Sequence, residues 1–334
     1  FLRRLGHHVT GLDTYFFEGC DHFPCGEADI SIRKDIRRVG PADLAGHDAV
    51  VHLAALSNDP LGNLSPHATY AINAEAAVAL GRAAKAAGVP RFAFASSCSI
   101  YGAASPDDVL DETASFNPVT PYGESKVRAE AGLSALADDR FSPVFLRNAT
   151  AYGASPKLRS DIMVNNLVGH AMLEGEVLMK SDGTPWRPLV HVEDIARAFA
   201  AVLEAPRDVV HDVAFNVGRD GENWQVGQVA EAVRDAVPGS RIVYADGGGP
   251  DRRCYRVDFG RIARELPGFE PKWTVRDGIE ELVDAFRRHP VAPADFEGSR
   301  FVRLKRLREH VDAGDLDRDL HWTSEGVSAL RRAV

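Results

Sequence analysis

Strand-like and helical stretches alternate through the first half of this chain, and that alternation most limits the folds open to it. The apolar runs ISIRKDI, DAVVHLAAL and RFAFASS occupy residues 30–36, 48–56 and 91–97. Between the last two lies an Ala-rich stretch, about Thr69 to Ala87, with helical character and a stop at Gly88 and Pro90. A second helix is predicted from about Thr120 to Leu136, and the strand SPVFLRNA follows it. Strand and helix in alternation predict an α/β fold, a doubly wound parallel sheet with helices on both faces. Ligands of such sheets sit outside the carboxyl ends of the strands.

The opening FLRRLGHHVTGLD reads as the end of a helix (Leu2, Leu5), a stop at Gly6 and a strand from His8 to Asp13. That is the second half of a dinucleotide-binding unit. In such units a glycine-rich turn precedes the acidic strand end by about 20 residues. Counting back from Asp13 runs past Phe1, which is not a methionine, so a trimmed start is expected. The alternative is a chain without its pyrophosphate cradle, whose affinity for a dinucleotide would collapse.

After Gly153 the rhythm loosens. A helix from Asp161 to Glu174, the strand VLMKS, the run RPLVHVEDIARAFAAVLEA and helices near 224–237 and 275–288 point to a smaller mixed lobe. With 334 residues, two units are expected. The division reads as a nucleotide-binding unit over 1–152, to which 190–218 returns, a substrate lobe over 153–189 and 219–289, and a C-terminal extension over 290–334. That extension carries one predicted helix, in RFVRLKRLREHVDAG, and no motif.

The net charge of −9 argues against nucleic acid or an anionic membrane as a partner. No run reaches the length of a membrane span, and the start resembles no secretion signal. The four scattered cysteines suit a reducing compartment, so a cytoplasmic location is expected. Cys20 and Cys25 flank His22 without a second ligand pair, which favours a surface loop there over a metal site.

The strongest chemical signal is PYGESK. Tyr122 and Lys126, four residues apart on a helix, share a face. A phenol and an ammonium can thus approach one reacting group together, and the cation is expected to lower the tyrosine pKa. On its own the spacing is a common accident of surface helices. Here it follows a strand ending in SSCSIYG, which puts Ser96, Ser97 and Ser99 at the carboxyl edge of the sheet.

From Phe1 to about Arg288 these motifs resemble, in order, the extended short-chain dehydrogenases/reductases, and within them the NAD-dependent nucleotide-sugar epimerase/dehydratase family. The resemblance implies a Rossmann-like fold, NAD as cofactor, a nucleotide-diphosphate sugar as substrate and a homodimer. It implies cofactor contacts at Asp13 on the adenosine ribose, at Asp35 and Ile36 beside adenine, and at Leu53, Ala54 and Ala55 of HLAA. Asn73, Ser96, Tyr122 and Lys126 complete the cofactor set. No arginine follows Asp13, which favours NAD over NADP. The implied catalytic residues are Ser97, Tyr122 and Lys126. Substrate contacts fall on Ser97, Cys98, Ser99, Asn148, Asn166 and Arg187, with Arg187 on a phosphate and Arg252 or Arg253 as a second phosphate cation. Singly, several have plainer readings: Asp13 and Ser97 as strand ends, Asn73 and Arg187 as surface residues. His52 and His191 read as packed or capping.

Three departures shape the expected reaction. Sugar dehydratases of the family carry an Asp-Glu pair directly after the catalytic Ser/Thr, whereas this chain has Cys98 and Ser99. RNATAYG has Thr150 in the slot of a sugar-contacting asparagine. The arginine usual before GD is replaced by the glycines of GGGPD. Without the carboxylate pair, elimination of water is disfavoured, and a C4 epimerase working through a transient 4-keto sugar is expected. A ketoreductase or dehydrogenase with the same triad is the second reading. A noncatalytic sugar-nucleotide-binding protein is the third.

Overall fold

In the computed structural model, the residues described are 1–103, 105, 108–245, 254–324 and 326. Four parallel strands form the main sheet, in the order Val213–Val217, Ser142–Asn148, Arg91–Ser97, Ala49–His52. Arg91–Ser97 is interior because both of its faces are apolar. Phe92 and Phe94 pack with Ala77, Leu80 and Leu133 of the helical layer on one side. Ala93, with Val144 and Leu146 of the neighbouring strand, packs with Ala198 and Val202 on the other. This is the expected α/β, Rossmann-like architecture.

Thr10–Asp13 and Ile30–Arg33 pair in parallel as a separate two-stranded sheet, and Ala49–His52 is an edge strand. The Ala-rich helical stretch runs as Pro66–Tyr70, a wide turn over Ala71–Glu75, and Ala76–Ala86.

The Tyr122 helix, Pro121–Ser134, starts where predicted. Thr120 caps it by accepting from the Gly123 amide at 3.2 Å, and Pro121 occupies its first turn. It crosses Ala76–Ala86 at close range through reciprocal glycines. A Cβ on Gly81 would lie 2.4 Å from Leu133 Cδ2, and one on Gly132 would lie 2.4 Å from Val78 Cγ2. Small residues at both crossings set the depth at which Tyr122 and Lys126 lie.

The second lobe has its own core. Val164 and Val168 pack with Val229, Val233, Ile279, Leu282 and Phe286. Its strands are Thr150–Tyr152, Trp186–His191 and Asn223–Gln225 in one sheet, and Glu176–Met179 with Arg241–Tyr244 in another. One expected boundary needs correction. Tyr255, Val257, Phe259, Ile262, Leu266 and Phe269 fall inside the 219–289 stretch, yet they join the core beneath the main sheet because their apolar side chains close its open side.

The Cys20–Cys25 segment also departs from expectation. Cys20 and His22 are buried, with His22 Nε2 2.8 Å from the His289 carbonyl oxygen and its ring 5.3 Å from Phe286; Cys25 is exposed. The tail packs in two places. Val291, Phe296 and Phe301 join the second-lobe core, while Leu307, Leu316 and Leu320 pack with Phe16, Leu56, Leu61 and Ile72.

Candidate active site

A cavity of about 840 Å³ opens at the carboxyl ends of the main-sheet strands and runs toward the second lobe. Leu53, Ala55, Ser96, Ser97, Ser99, Tyr122, Lys126, Asn148, Asn166 and Arg187 all line it. Residues separated widely in sequence therefore converge on one space, as the sheet topology requires.

Ser97 closes its strand, and its Oγ accepts from the Ser99 amide at 3.1 Å. Tyr122 is half-buried on the first turn of its helix. Lys126, one turn on, is 3% exposed; its Nζ donates to the Ala95 carbonyl at 2.7 Å and stands 5.8 Å from the centre of the Tyr122 ring. Burial lowers the Lys126 pKa to about 8, against a smaller opposing pull from Glu130. The expectation for Tyr122 is corrected. Burial raises its pKa, and a hydrogen bond with Ser97 only partly offsets this, because removing a phenolate from water costs more than nearby positive charge returns.

The cavity wall also carries polar atoms without protein partners. Ser96 Oγ and Asn148 Oδ1 are buried and unsatisfied, and both residues line the space. Orphaned polar atoms of this kind carry a desolvation cost that a polar ligand relieves. With Lys126 and Tyr122 alongside, they fit the nicotinamide–ribose half of NAD. Leu53, 60% exposed at the end of its strand, adds an apolar ledge.

Other expected residues lie elsewhere. Asn73 is fully buried and does not line the cavity. Its Oδ1 accepts from the Leu56 amide at 2.8 Å, and its Nδ2 donates to the Leu56 carbonyl at 3.1 Å and to Ser125 Oγ at 3.2 Å. It ties the turn after one strand to the Tyr122 helix rather than presenting an amide to a ligand. Cys98 is corrected as a substrate contact: the thiol is buried, donates to the Arg147 carbonyl at 3.1 Å, and burial pushes its pKa up. Ala54 is outside the lining residues. Asp13 is exposed and accepts from the Tyr15 amide at 2.6 Å. Asp35 caps the turn over Ile36–Arg38 and binds Arg37 at 2.5 Å, while Ile36 packs into the tail's cluster. Although burial opposes it, Arg37 holds the Asp35 carboxyl low. Arg252 and Arg253 lie outside the described residues.

Sequence reasoning missed a group at the reacting end. Asp59 lines the cavity and accepts from Thr120 Oγ1 at 2.6 Å. Arg159 forms a two-pronged pair with Asp161, at 2.9 and 2.8 Å, and donates to the Ser57 carbonyl at 2.9 Å. Asn58 joins the two lobes by donating to Asp161 Oδ2 at 3.0 Å. Tyr255 lines the same region, and Lys157 and Lys180 add charge further along. One signal was readable: SNDP after HLAA is a helix start at the carboxyl end of a strand. The others arrive through long-range packing.

The sequence model described as "NAD dependent epimerase/dehydratase family" matches residues 1–218. Over 297 residues the chain is 28% identical to a UDP-glucose 4-epimerase of Erwinia amylovora, covering 82% of each chain. Over 299 residues it is 27% identical to a UDP-glucose 4-epimerase of Bacillus subtilis (strain 168), covering 84% of this chain and 83% of that one. Among solved structures, MoeE5 in complex with UDP-glucuronic acid and NAD aligns with a TM-score of 0.74 at 29% identity, covering 86% of this chain and 93% of that one. No helix among the described residues is long and apolar enough to cross a membrane.

Proposed function

The chain belongs to the NAD-dependent epimerase/dehydratase family, as an enzyme of the short-chain dehydrogenase/reductase type with NAD as its cofactor, and we propose that it epimerises a nucleoside-diphosphate sugar at C4 through a transient 4-keto sugar. The observation that carries this reading is the convergence of Ser97, Tyr122 and Lys126 at one end of the cavity, with no carboxylate in the two positions after Ser97. Cys98 is a buried thiol of raised pKa and Ser99 is a neutral hydroxyl. Neither is the acid–base pair that elimination of water asks for.

Lys126, Tyr122, Ser96 and Asn148 would hold the nicotinamide–ribose half of NAD, which supplies the hydride chemistry at the sugar carbon when bound. The chain's own part is protonic. Tyr122, as phenolate, takes the proton of the reacting sugar hydroxyl and later returns it. Ser97, bonded to the phenol, holds the reacting oxygen beside it. The Lys126 ammonium favours the phenolate and orients the ribose. Arg187 and Lys180 line the cavity with positive charge suited to a diphosphate. Uridine is the base proposed, because the relatives named above are UDP-sugar enzymes.

The test starts from purified protein, denatured and assayed for released NAD(H). Native enzyme is then incubated with UDP-glucose and with UDP-glucuronic acid. Near-stoichiometric cofactor and conversion to the C4 epimer without net NADH support the proposal. Accumulation of free NADH would replace epimerase with dehydrogenase. Absence of both cofactor and turnover would leave a binding protein.

A further inference from the structure

The reacting end of the cavity holds a second phenol. Tyr255 is 5% exposed and lines the same space as Tyr122, Ser97 and Ser99. Tyr122 shares a hydrogen bond with Ser97. Ser97 Oγ lies 3.1 Å from Ser99 Oγ, and Ser99 in turn shares a hydrogen bond with Tyr255. Four hydroxyls from three parts of the chain thus form one series with a phenol at each end.

Each hydroxyl donates one proton, accepts from others, and rotates to suit its neighbours. Such a series can turn all its O–H bonds toward whichever end bears negative charge, and bonds aligned this way strengthen one another. The surroundings decide the end. Around Tyr122 stand Lys126 on its own helix, Arg159 from the second lobe, and Asp59 and Cys98. Around Tyr255 stand Cys98, Arg187 and Asp59. Burial raises the pKa of Tyr255 far above its ordinary value, so it remains a donor. Tyr122 has the lysine one turn away and is the end where charge is useful.

We propose that Tyr255 is a positioning residue of this reaction: as the far donor of the hydroxyl series it turns Ser99 and Ser97 so that Ser97 donates to the Tyr122 oxygen and steadies the phenolate. This rests on Tyr122 being the base of the proposed reaction. It also gives a role to Ser99, which stands where the dehydratases of the family carry a carboxylate.

The measurement is a ¹³C NMR titration of the NAD-loaded enzyme labelled at tyrosine Cζ, with the Tyr122 resonance assigned by its loss in Tyr122→Phe. In Tyr255→Phe the Tyr122 ionisation is expected to move upward by about half a pH unit or more, since a hydrogen bond favouring the charged form is weakened. Ser99→Ala is expected to move it in the same direction, and it serves alone should Tyr255→Phe fold poorly. The double variant is expected to move it no further than the larger single change, because both cut one series. An unmoved or lowered Tyr122 ionisation overturns the proposal, as does a wild-type Tyr122 that never ionises before alkaline unfolding. The titration needs no sugar. A shifted ionisation in a protein that turns over no nucleotide sugar would keep this inference and sink the proposed reaction instead.

Discussion

At the residue scale, Tyr122 and Lys126 are each driven toward their neutral forms by the same burial that brings them together. The phenol is raised and the ammonium is lowered to about 8. The combination that the proposed reaction needs, phenolate beside ammonium, is then a minor form of the pair carrying a single proton, and its titration belongs to the pair. Below about pH 8 both groups are protonated and the base is missing. Above the raised value of Tyr122 both protons are gone and so is the cation. The profile of kcat/KM is therefore expected to rise with pH through about 8 and to fall only at the more alkaline ionisation of Tyr122. Replacing Lys126 with Met is expected to lower kcat/KM by about 10²- to 10⁴-fold and to erase the limb near 8. A loss of equal size at every pH, with that limb retained, would assign the limb to another group. This pair was legible in the sequence because its geometry is local. Four residues along a helix fix a shared face, and SSCSIYG marks the strand end opposite.

At the scale of elements, the site depends on how a turn is fastened to a helix. Asn73, in the wide turn Ala71–Glu75, holds both backbone groups of Leu56 and reaches Ser125 on the Tyr122 helix. Leu56 directly precedes the Ser57–Asp59 segment that lines the cavity. Replacing Asn73 with Ala leaves a buried amide and a buried carbonyl without partners, at about 1–3 kcal/mol each. The urea midpoint is expected to fall accordingly, and kcat is expected to drop with it as Asp59 and Ser57 lose their anchor. Asn73→Asp keeps the acceptor for the Leu56 amide but sets a carboxylate against the Leu56 carbonyl, and is expected to be the worse of the two. A midpoint within experimental error of wild type for both variants would remove the anchoring role. Sequence reading picked out Asn73 but gave it a ligand. Its neighbourhood explains why: a buried asparagine on an apolar helix signals a bond of some kind, and only the fold shows that the partners are Leu56 and Ser125. Asp59, Arg159 and Tyr255 were harder still, since each comes to the cavity from a different segment and no local spacing joins them.

For the whole molecule, the least legible part is the stretch after Arg288, which carries no motif yet packs against Phe16, Leu56, Leu61 and Ile72 of the first half. Trp322 Nε1 donates to the Thr14 carbonyl at 2.8 Å and lies 3.0 Å from Thr14 Oγ1, and its ring sits 5.8 Å from Phe16. Arg37, already bound to Asp35, donates to the carbonyls of Asp319 and Leu320 at 2.6 and 2.7 Å. The tail thereby braces the segments that follow Asp13 and Asp35, the two carboxylates that the family resemblance sets around the adenosine of NAD. Its cluster is made of single apolar residues spread over Phe16 to Leu320, which is why no window of sequence reveals it. Trp322→Ala removes a large ring and a donor from a partly buried site and is expected to cost about 2–4 kcal/mol in denaturant unfolding. If the tail braces the adenosine end, amide exchange should quicken at Thr14–Phe17, and NAD should bind several-fold more weakly while the nucleotide sugar is held as before. If the midpoint falls and exchange quickens only within 303–323, the tail is an independent cap, and the segments after Asp13 and Asp35 hold their shape through their own bonds.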